Sequence, residues 1–420
     1  MLDSLLIPKR EPQIITVGGS DSHINGFDSD SIRTAVDVLR IRGGGTIKLS
    51  EGVYDIFAPI RLYDNMTLSG AGEKTVLRKC DSVKTDLRLN SDLGELKIEV
   101  SDTSGFKIGM AARVTNIKNR THFTDTIITM VEGKTLHVDR NLLQNYSVGS
   151  DVQVTNLCPV VEIVDVRGVK VLNLTIDGNG VNNRLFDDPH ANPAAVFINR
   201  AADCLIENLK IFDCYGDGVC WATNEDITVR NCDISNCIGF GVHAGSGSVR
   251  TLVEGCSIYG NDIDGIYLCW RVQHSSYRNN KTYRNRGNGI SIGWKDTDNL
   301  FESNHIYENV VSGVYFRAKP VGCTPDNNTF KGNVIEDNGS NEDGYGVFFN
   351  YREEAGVVKG SEFDGNTIRD TGKNRQRVGI QYPWDISGIK IGVNEMSGHT
   401  EGDIVNKQLT KPNWPKGEIL

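Results

Sequence analysis

A glycine followed by an aliphatic residue recurs at Gly218-Val219, Gly241-Val242, Gly265-Ile266, Gly289-Ile290, Gly313-Val314, Gly346-Val347 and Gly379-Ile380, at intervals of 23 or 24 residues and finally 33. A fixed period of that size leaves few folds open, because each unit must be one small element that buries its apolar face only against the next copy. A second series keeps the same beat: IENLKIFDC, VRNCDISNC, VEGCSIYGN, YRNNKTYRN, FESNHIYEN, FKGNVIEDN and FDGNTIRDT. Every unit holds short runs of alternating apolar and polar residues divided by Asn or Gly, and none carries a helix-length apolar period. The repeat predicts an all-β solenoid.

Position four of the second series runs Leu209, Cys232, Cys256, Asn280, Asn304, Asn333, Asn366. Coils stacked about 4.8 Å apart place those side chains one above the other, and an Asn stack at a turn hydrogen-bonds along itself. The row reads as structural. Cys214 and Cys237, like Cys232 and Cys256, lie one repeat apart and read as free thiols in a core rather than as disulfides. No CxxC and no paired Cys/His spacing suits a zinc cluster, so no metal centre is expected from linear motifs.

Before the repeats, FDSDSIRTAVDVLRIRGGG reads as an amphipathic helix capped at Asp28 or Ser29, with Ile32, Val36 and Leu39 on one face. It is expected to cover the open end of the solenoid, where an exposed strand edge invites pairing. GGTIKLSEGVYDI and IRLYDNMTLSGAG follow as the first coils. The expected layout is therefore a cap and first coils over 1–81, a small inserted β module over 82–157 where the beat breaks, the main solenoid over 158–396, and a polar tail over 397–420.

The chain has 420 residues, a formal net charge of −9 and 38% hydrophobic residues. Such a balance supports a large core and argues against nucleic acid or an anionic membrane as partner, since both reward a basic face. No apolar run approaches the roughly 20 residues of a membrane span. The start, MLDSLLIPKREPQ, lacks a basic lead and apolar stretch of a signal peptide, so a cytoplasmic location is expected, or a secreted one where a leader has been trimmed. Oligomeric state is left open.

The helix, GGGTIKLSEGVYDI, NMTLSGAG, NLTIDGNG and the Asn-laddered coils resemble the pectate-lyase-like superfamily of right-handed, single-stranded parallel β-helices. The likeness covers nearly all of the chain outside the module. It implies a right-handed parallel β-helix, and a function among lyases, hydrolases, epimerases and phage tailspikes.

In the Gly-apolar strands, residues one and three after the Gly are apolar and point inward, so residues two and four point outward. The outward rows hold Cys220, His243, Tyr267, Ser291, Tyr315 and Phe348, with Arg317 and Asn350 beside them. Arg271, Lys295, Lys319 and Arg352 each stand six residues after the Gly. Such a stripe suits an extended sugar chain, with rings stacking on Tyr267, Trp270 or Tyr315 and carboxylates pairing with Arg317 or Lys295. Acids gather nearby: Asp217 and Asp264 precede the strand Gly two coils apart, and Asp262, Asp296 and Asp298 lie close. Paired carboxylates serve as acid and base in glycoside hydrolysis, or hold a cation such as Ca2+; whether calcium is bound stays open.

Against polygalacturonases of the same superfamily, NDIDGIYL resembles their double-aspartate coil at Asp262 and Asp264, and RAK resembles their Arg-x-Lys at Arg317 and Lys319. NGISIG resembles their Gly-His-Gly coil, but Asn288 stands where their His would be.

Two enzymatic readings and one binding reading follow. A polysaccharide lyase acting on a uronate-containing chain needs a cation for the carboxylate, a base for the C5 proton and a donor for the leaving oxygen. Arg317 and Lys319 are candidates for the first, Lys295 or His243 for the second, Tyr267 or Tyr315 for the third. A glycoside hydrolase or transglycosidase would use Asp264 with Asp217, Asp262 or Asp296. The third reading is a non-catalytic carbohydrate-binding spike or scaffold. Catalytic candidates are thus His243, Asp264, Lys295, Arg317, Tyr267 and Asp217; substrate-binding candidates are Trp270, Arg271, Tyr315, Lys319, Asp296 and Arg352.

Overall fold

In the computed structural model, which describes residues 13–185, 192–340, 344–373, 375–383 and 388–407, with the side chains of 120 and 121 excepted, the chain winds into a column of parallel coils. One wall is a parallel sheet of 11 strands. In chain order its strands include Ile60–Leu62, Val161–Val164, Val196–Asn199, Val219–Ala222, Val242–Ala244, Ile266–Leu268, Ile290–Ile292 and Ser312–Phe316, followed by Tyr345–Phe349, Val378–Tyr382 and Gly402–Asn406. The remaining walls join in a 21-stranded sheet. The last strand lies beyond the point at which the repeat fades in the sequence, so the column runs further than expected there. The signal-peptide reading at the start and the end of the polar tail fall on 1–12 and 408–420, outside the described residues.

Strand register turns the 23- and 24-residue spacing into vertical rows. Val219 pairs with Val242, Val242 with Ile266, Ile266 with Ile290 and Ile290 with Val314. All five are fully buried in the central core, as are Trp221, Leu268 and Ile292. The inward parity read from the strands is the observed one.

Turns are held by buried amide ladders. Asn280 donates through Nδ2 to Asn304 Oδ1 at 3.0 Å, Asn304 to Asn333 at 3.0 Å and Asn333 to Asn366 at 2.9 Å. Two further ladders went unread in the sequence: Asn261, Asn285, Asn309 and Asn338 at one corner, and Asn299 with Asn328 at another. The Oδ1 of each accepts the preceding coil's backbone N–H, which inside the column has no water to turn to. Cys214, Cys232, Cys237 and Cys256 are free and buried at the same corners.

The helix Ser29–Ile41 closes the N-terminal end, capped by Asp28 Oδ1, which accepts from the Ser31 N–H at 2.8 Å. Ile32, Ala35, Val36 and Leu39 enter the core. Between the first and later coils, strands from Lys84–Asp86 to Val152–Thr155 form a separate six-stranded antiparallel sheet with its own apolar cluster. Among the described residues, no helix is long and apolar enough to cross a membrane.

Candidate functional site

The register of the 11-stranded sheet lines up one outward row: Phe197, Cys220, His243, Tyr267, Ser291, Tyr315, Phe348. Tyr267 is its centre. The phenol ring stacks on Phe240 at 4.1 Å between centroids, and the Arg317 guanidinium lies over it at 4.1 Å. His243 meets the same ring edge-on at 5.2 Å. A ring with a cation on its face and an imidazole at its edge is both held in place and electrostatically biased.

Arg317 reaches back across two coils to get there. Its Nη1 donates to Ser291 Oγ at 2.6 Å, its Nη2 donates to the Leu268 carbonyl, and Nη2 stands 3.5 Å from Asp296 Oδ2. Gly293 leaves the space: a methyl group there would lie 2.7 Å from Arg317 Cζ. Small neighbours along the stripe are thus a packing requirement of the arginine.

The carboxylates form a different layer. Asp217, 7% exposed, accepts from the Phe240 N–H through Oδ1 at 2.9 Å and pairs with His243 Nδ1 through Oδ2 at 2.8 Å. Asp264, 1% exposed, accepts from the Asn288 backbone N–H at 2.6 Å and from Asn288 Nδ2 at 2.9 Å. Asp296 is wholly buried and accepts from the backbone of Val272 at 3.0 Å and of Gly293 at 2.7 Å. Each one ties a coil to its neighbour.

Burial pushes the Asp264 carboxyl up to about 6, against the Asn288 hydrogen bonds and the Arg317 charge, and pushes Asp296 up as well. Burial opposes the charged form of His243, yet the Cys220 thiol and the Asp217 carboxylate beside it hold the imidazole protonated well above its usual range. Desolvation, with Arg317 and Arg352 nearby, brings the Lys319 amine down to about 8. Tyr267 is raised, chiefly by burial.

Other candidates stand elsewhere. Lys295 is an exposed turn residue with φ of 54°, which turns it off the strand, and Arg271 is likewise exposed with φ of 62°. The strand parity does not carry through these turns. Trp270 is 49% exposed and its ring lies 5.6 Å from that of Trp294, near which Lys319 Nζ stands at 5.9 Å. Arg352 is exposed. Asp262 is taken up by arginines, pairing with Arg286 at 3.1 Å and standing 4.0 Å from Arg184. Tyr315 corrects the expectation of an open aromatic stripe: it is 3% exposed, packed with Tyr345, Phe348 and Val378, and its hydroxyl accepts from Asn350 Nδ2 at 2.8 Å. Its ring offers no face to a surface ligand. Asp296, expected to meet substrate, instead fastens a turn.

Phe240 and Trp294 were not singled out in the sequence, and Ser291 was placed in the outward row without a role. Phe240 occupies the position held by Asp217 and Asp264 in neighbouring coils, so its departure from that row was the available signal.

Residues 159–295 match the family model described as the right-handed beta helix region. Solved structures of like fold include the A-module of the mannuronan C-5 epimerase AlgE4 from Azotobacter vinelandii, 16% identical over 91% of this chain and 94% of that one, with a TM-score of 0.58. A polygalacturonase from Erwinia carotovora ssp. carotovora is 12% identical over 96% and 98%, at 0.50. The catalytic unit of a thermostable α-1,3-glucanase from Streptomyces thermodiastaticus is 14% identical over 90% of this chain and 69% of that one, at 0.51. No curated protein matches the chain by sequence. The chain has the fold of right-handed parallel β-helix proteins, and residues 159–295 carry that family's sequence pattern. At these identities the likeness establishes the fold, and the site must argue for itself.

Proposed function

We propose that this face binds a uronate-containing polysaccharide or oligosaccharide and cleaves it by β-elimination. The observation that carries the reading is the Tyr267 ring held between Phe240 and Arg317, with His243 at its edge. Cations and a phenol are presented outward, while all three nearby carboxylates are spent on backbone amides. Hydrolysis by an acid and base pair of carboxylates needs both to reach the glycosidic bond, and Asp264 and Asp296 are sealed under the row.

In this reading Arg317 supplies the positive charge that draws the uronate carboxylate and stabilises the anion formed at C5. Lys319, brought to about 8, has a neutral fraction at working pH and takes the C5 proton. The electron pair forms the C4–C5 double bond, the C4–O4 bond breaks, and Tyr267 gives its proton to O4. The His243 imidazolium stabilises the phenolate left behind. Trp270 and Trp294 offer apolar surface to flanking sugar rings. Two structures of like fold are named for mannuronan and polygalacturonate chemistry, which agrees with an acidic polymer.

The test is incubation with a panel of uronate and neutral polysaccharides, following the near-ultraviolet absorbance of the unsaturated product. The expected result is unsaturated ends, with kcat/KM rising through about pH 8 and both lost in Lys319→Met. New saturated reducing ends would overturn elimination in favour of hydrolysis. Deuterium exchange at C5 without cleavage would overturn it in favour of epimerisation, and binding without any product would leave a carbohydrate-binding scaffold.

A further inference from the structure

Cys220, His243 and Asp217 come from two adjacent coils, and their ligand atoms all lie within 4.8 Å of one another. We propose that this cluster binds one soft divalent transition-metal ion of the zinc class. The inference rests on the cluster alone; an ion there takes the place of the His243 proton, so the metal-bound form would leave stabilisation of the Tyr267 phenolate to Arg317.

The donor set is the first argument. One thiol, one imidazole and one carboxylate match the three-ligand sites that keep a fourth position open for water, and a thiolate selects zinc-like ions over calcium or magnesium. Size is the second. Bonds of about 2.0–2.3 Å in a tetrahedron put neighbouring ligand atoms roughly 3.3–3.7 Å apart. Asp217 Oδ2 and His243 Nδ1, now bridged by a proton at 2.8 Å, would part by less than about 1 Å to reach that spacing, and all three ligand atoms already lie within 4.8 Å of one another. A metal ion would take the place of the shared proton and of the thiol proton, so binding releases protons and strengthens as pH rises.

The surroundings are the third argument. The Phe240 N–H fixes the other oxygen of Asp217 at 2.9 Å, and the stacked rings of Phe240 and Tyr267 together meet one side of the imidazole edge-on at 5.1 and 5.2 Å. Such outer contacts orient ligands before the ion arrives. Linear motifs could not show this site, because its ligands stand at i, i+3 and i+26 and meet only when the coil closes.

The experiment is titration of the chelator-treated full chain with Zn2+ by calorimetry and with Co2+ by absorbance. The expected result is one ion per chain, a thiolate-to-cobalt charge-transfer band, and at least a tenfold loss of affinity in both Cys220→Ser and His243→Gln. Cys323→Ser, in a loop away from the cluster, should bind as the parent does. Circular dichroism of each variant confirms that it is folded, and His243→Gln serves should Cys220→Ser fail to fold. No stoichiometric binding by the parent, or binding undiminished in either folded cluster variant, overturns the proposal.

Discussion

Asn304→Ala isolates what the amide ladder contributes, because the hydrogen bonds that it deletes can be counted. Asn304 Oδ1 accepts from the Asn280 backbone N–H and from Asn280 Nδ2, both at 3.0 Å. Its Nδ2 donates to the Tyr277 carbonyl at 2.8 Å and to Asn333 Oδ1 at 3.0 Å. After truncation Asn280 Nδ2 keeps the Val253 carbonyl at 2.9 Å, and Asn333 Oδ1 keeps the Asn304 N–H at 2.9 Å. The Asn280 N–H loses the acceptor that satisfies it inside the column. One orphaned buried donor costs about 1–3 kcal/mol, and the three other lost bonds add roughly 0.5–1.5 each, for about 2.5–7.5 kcal/mol in all. Against a typical total of roughly 5–15 kcal/mol that is a large share. Urea unfolding followed by circular dichroism reads the global loss, and hydrogen exchange at the Asn280 amide reads the coil itself, since solenoids open locally. Lys281→Ala, at the exposed residue next in line, should stay within about 0.5 kcal/mol. A change no larger than that in Asn304→Ala, with the Asn280 amide as protected as before, would refute the view that the ladder stabilises the turns.

Gly293→Ala should displace the Arg317 guanidinium from Tyr267, because the added methyl would stand 2.7 Å from Cζ; turnover should fall roughly tenfold to a hundredfold for the loss of one or two charge-assisted contacts. Unchanged activity and near-ultraviolet circular dichroism would show that the arginine is not placed by that glycine. Asp264, raised from 3.8 to about 6 by burial, binds its proton more tightly folded than unfolded, so its penalty on stability is absent below about pH 4, grows as pH rises to 6 and is complete above it. Asp264→Asn should therefore raise the melting temperature at pH 7 and flatten the profile between pH 4 and 6. A lower melting temperature at pH 7 would mean that the carboxylate is worth more to the coil than its burial costs.

The solenoid was legible because its two causes are both linear. A period of two within each strand settles which residues enter the core, as for Val219 and Trp221, and a period of 23 or 24 settles which of them stack. The amide row from Asn280 to Asn366 was legible for the same reason; the Asn261 row keeps the same beat at another corner and went unread. The site was legible only in part. Asp217 and His243 lie 26 residues apart and Arg317 and Ser291 also 26, distances that mean contact only once the coil is drawn.

Tyr315 shows where the parity argument stops. It stands in the same outward row as His243 and Tyr267, in register with Ser291, and by period alone it should be as open as they are. The two 33-residue intervals follow it, and their additional residues form loops that meet each other: Pro320 bridges to Ala355, and the Gly356 N–H donates to the Lys319 carbonyl at 2.8 Å. Tyr315, Tyr345, Phe348 and Val378 make a small apolar cluster on the outer side of the sheet. The same loops set the open length of the groove and crowd Lys319 against Arg317 and Arg352, which with burial depresses its amine. A strand's period assigns a side chain its direction, whereas its exposure depends on what the inserted residues fold back upon. Here the lengthening of the repeat from 24 to 33 closes one end of the stripe and lowers the pKa of the lysine beside the part that stays open.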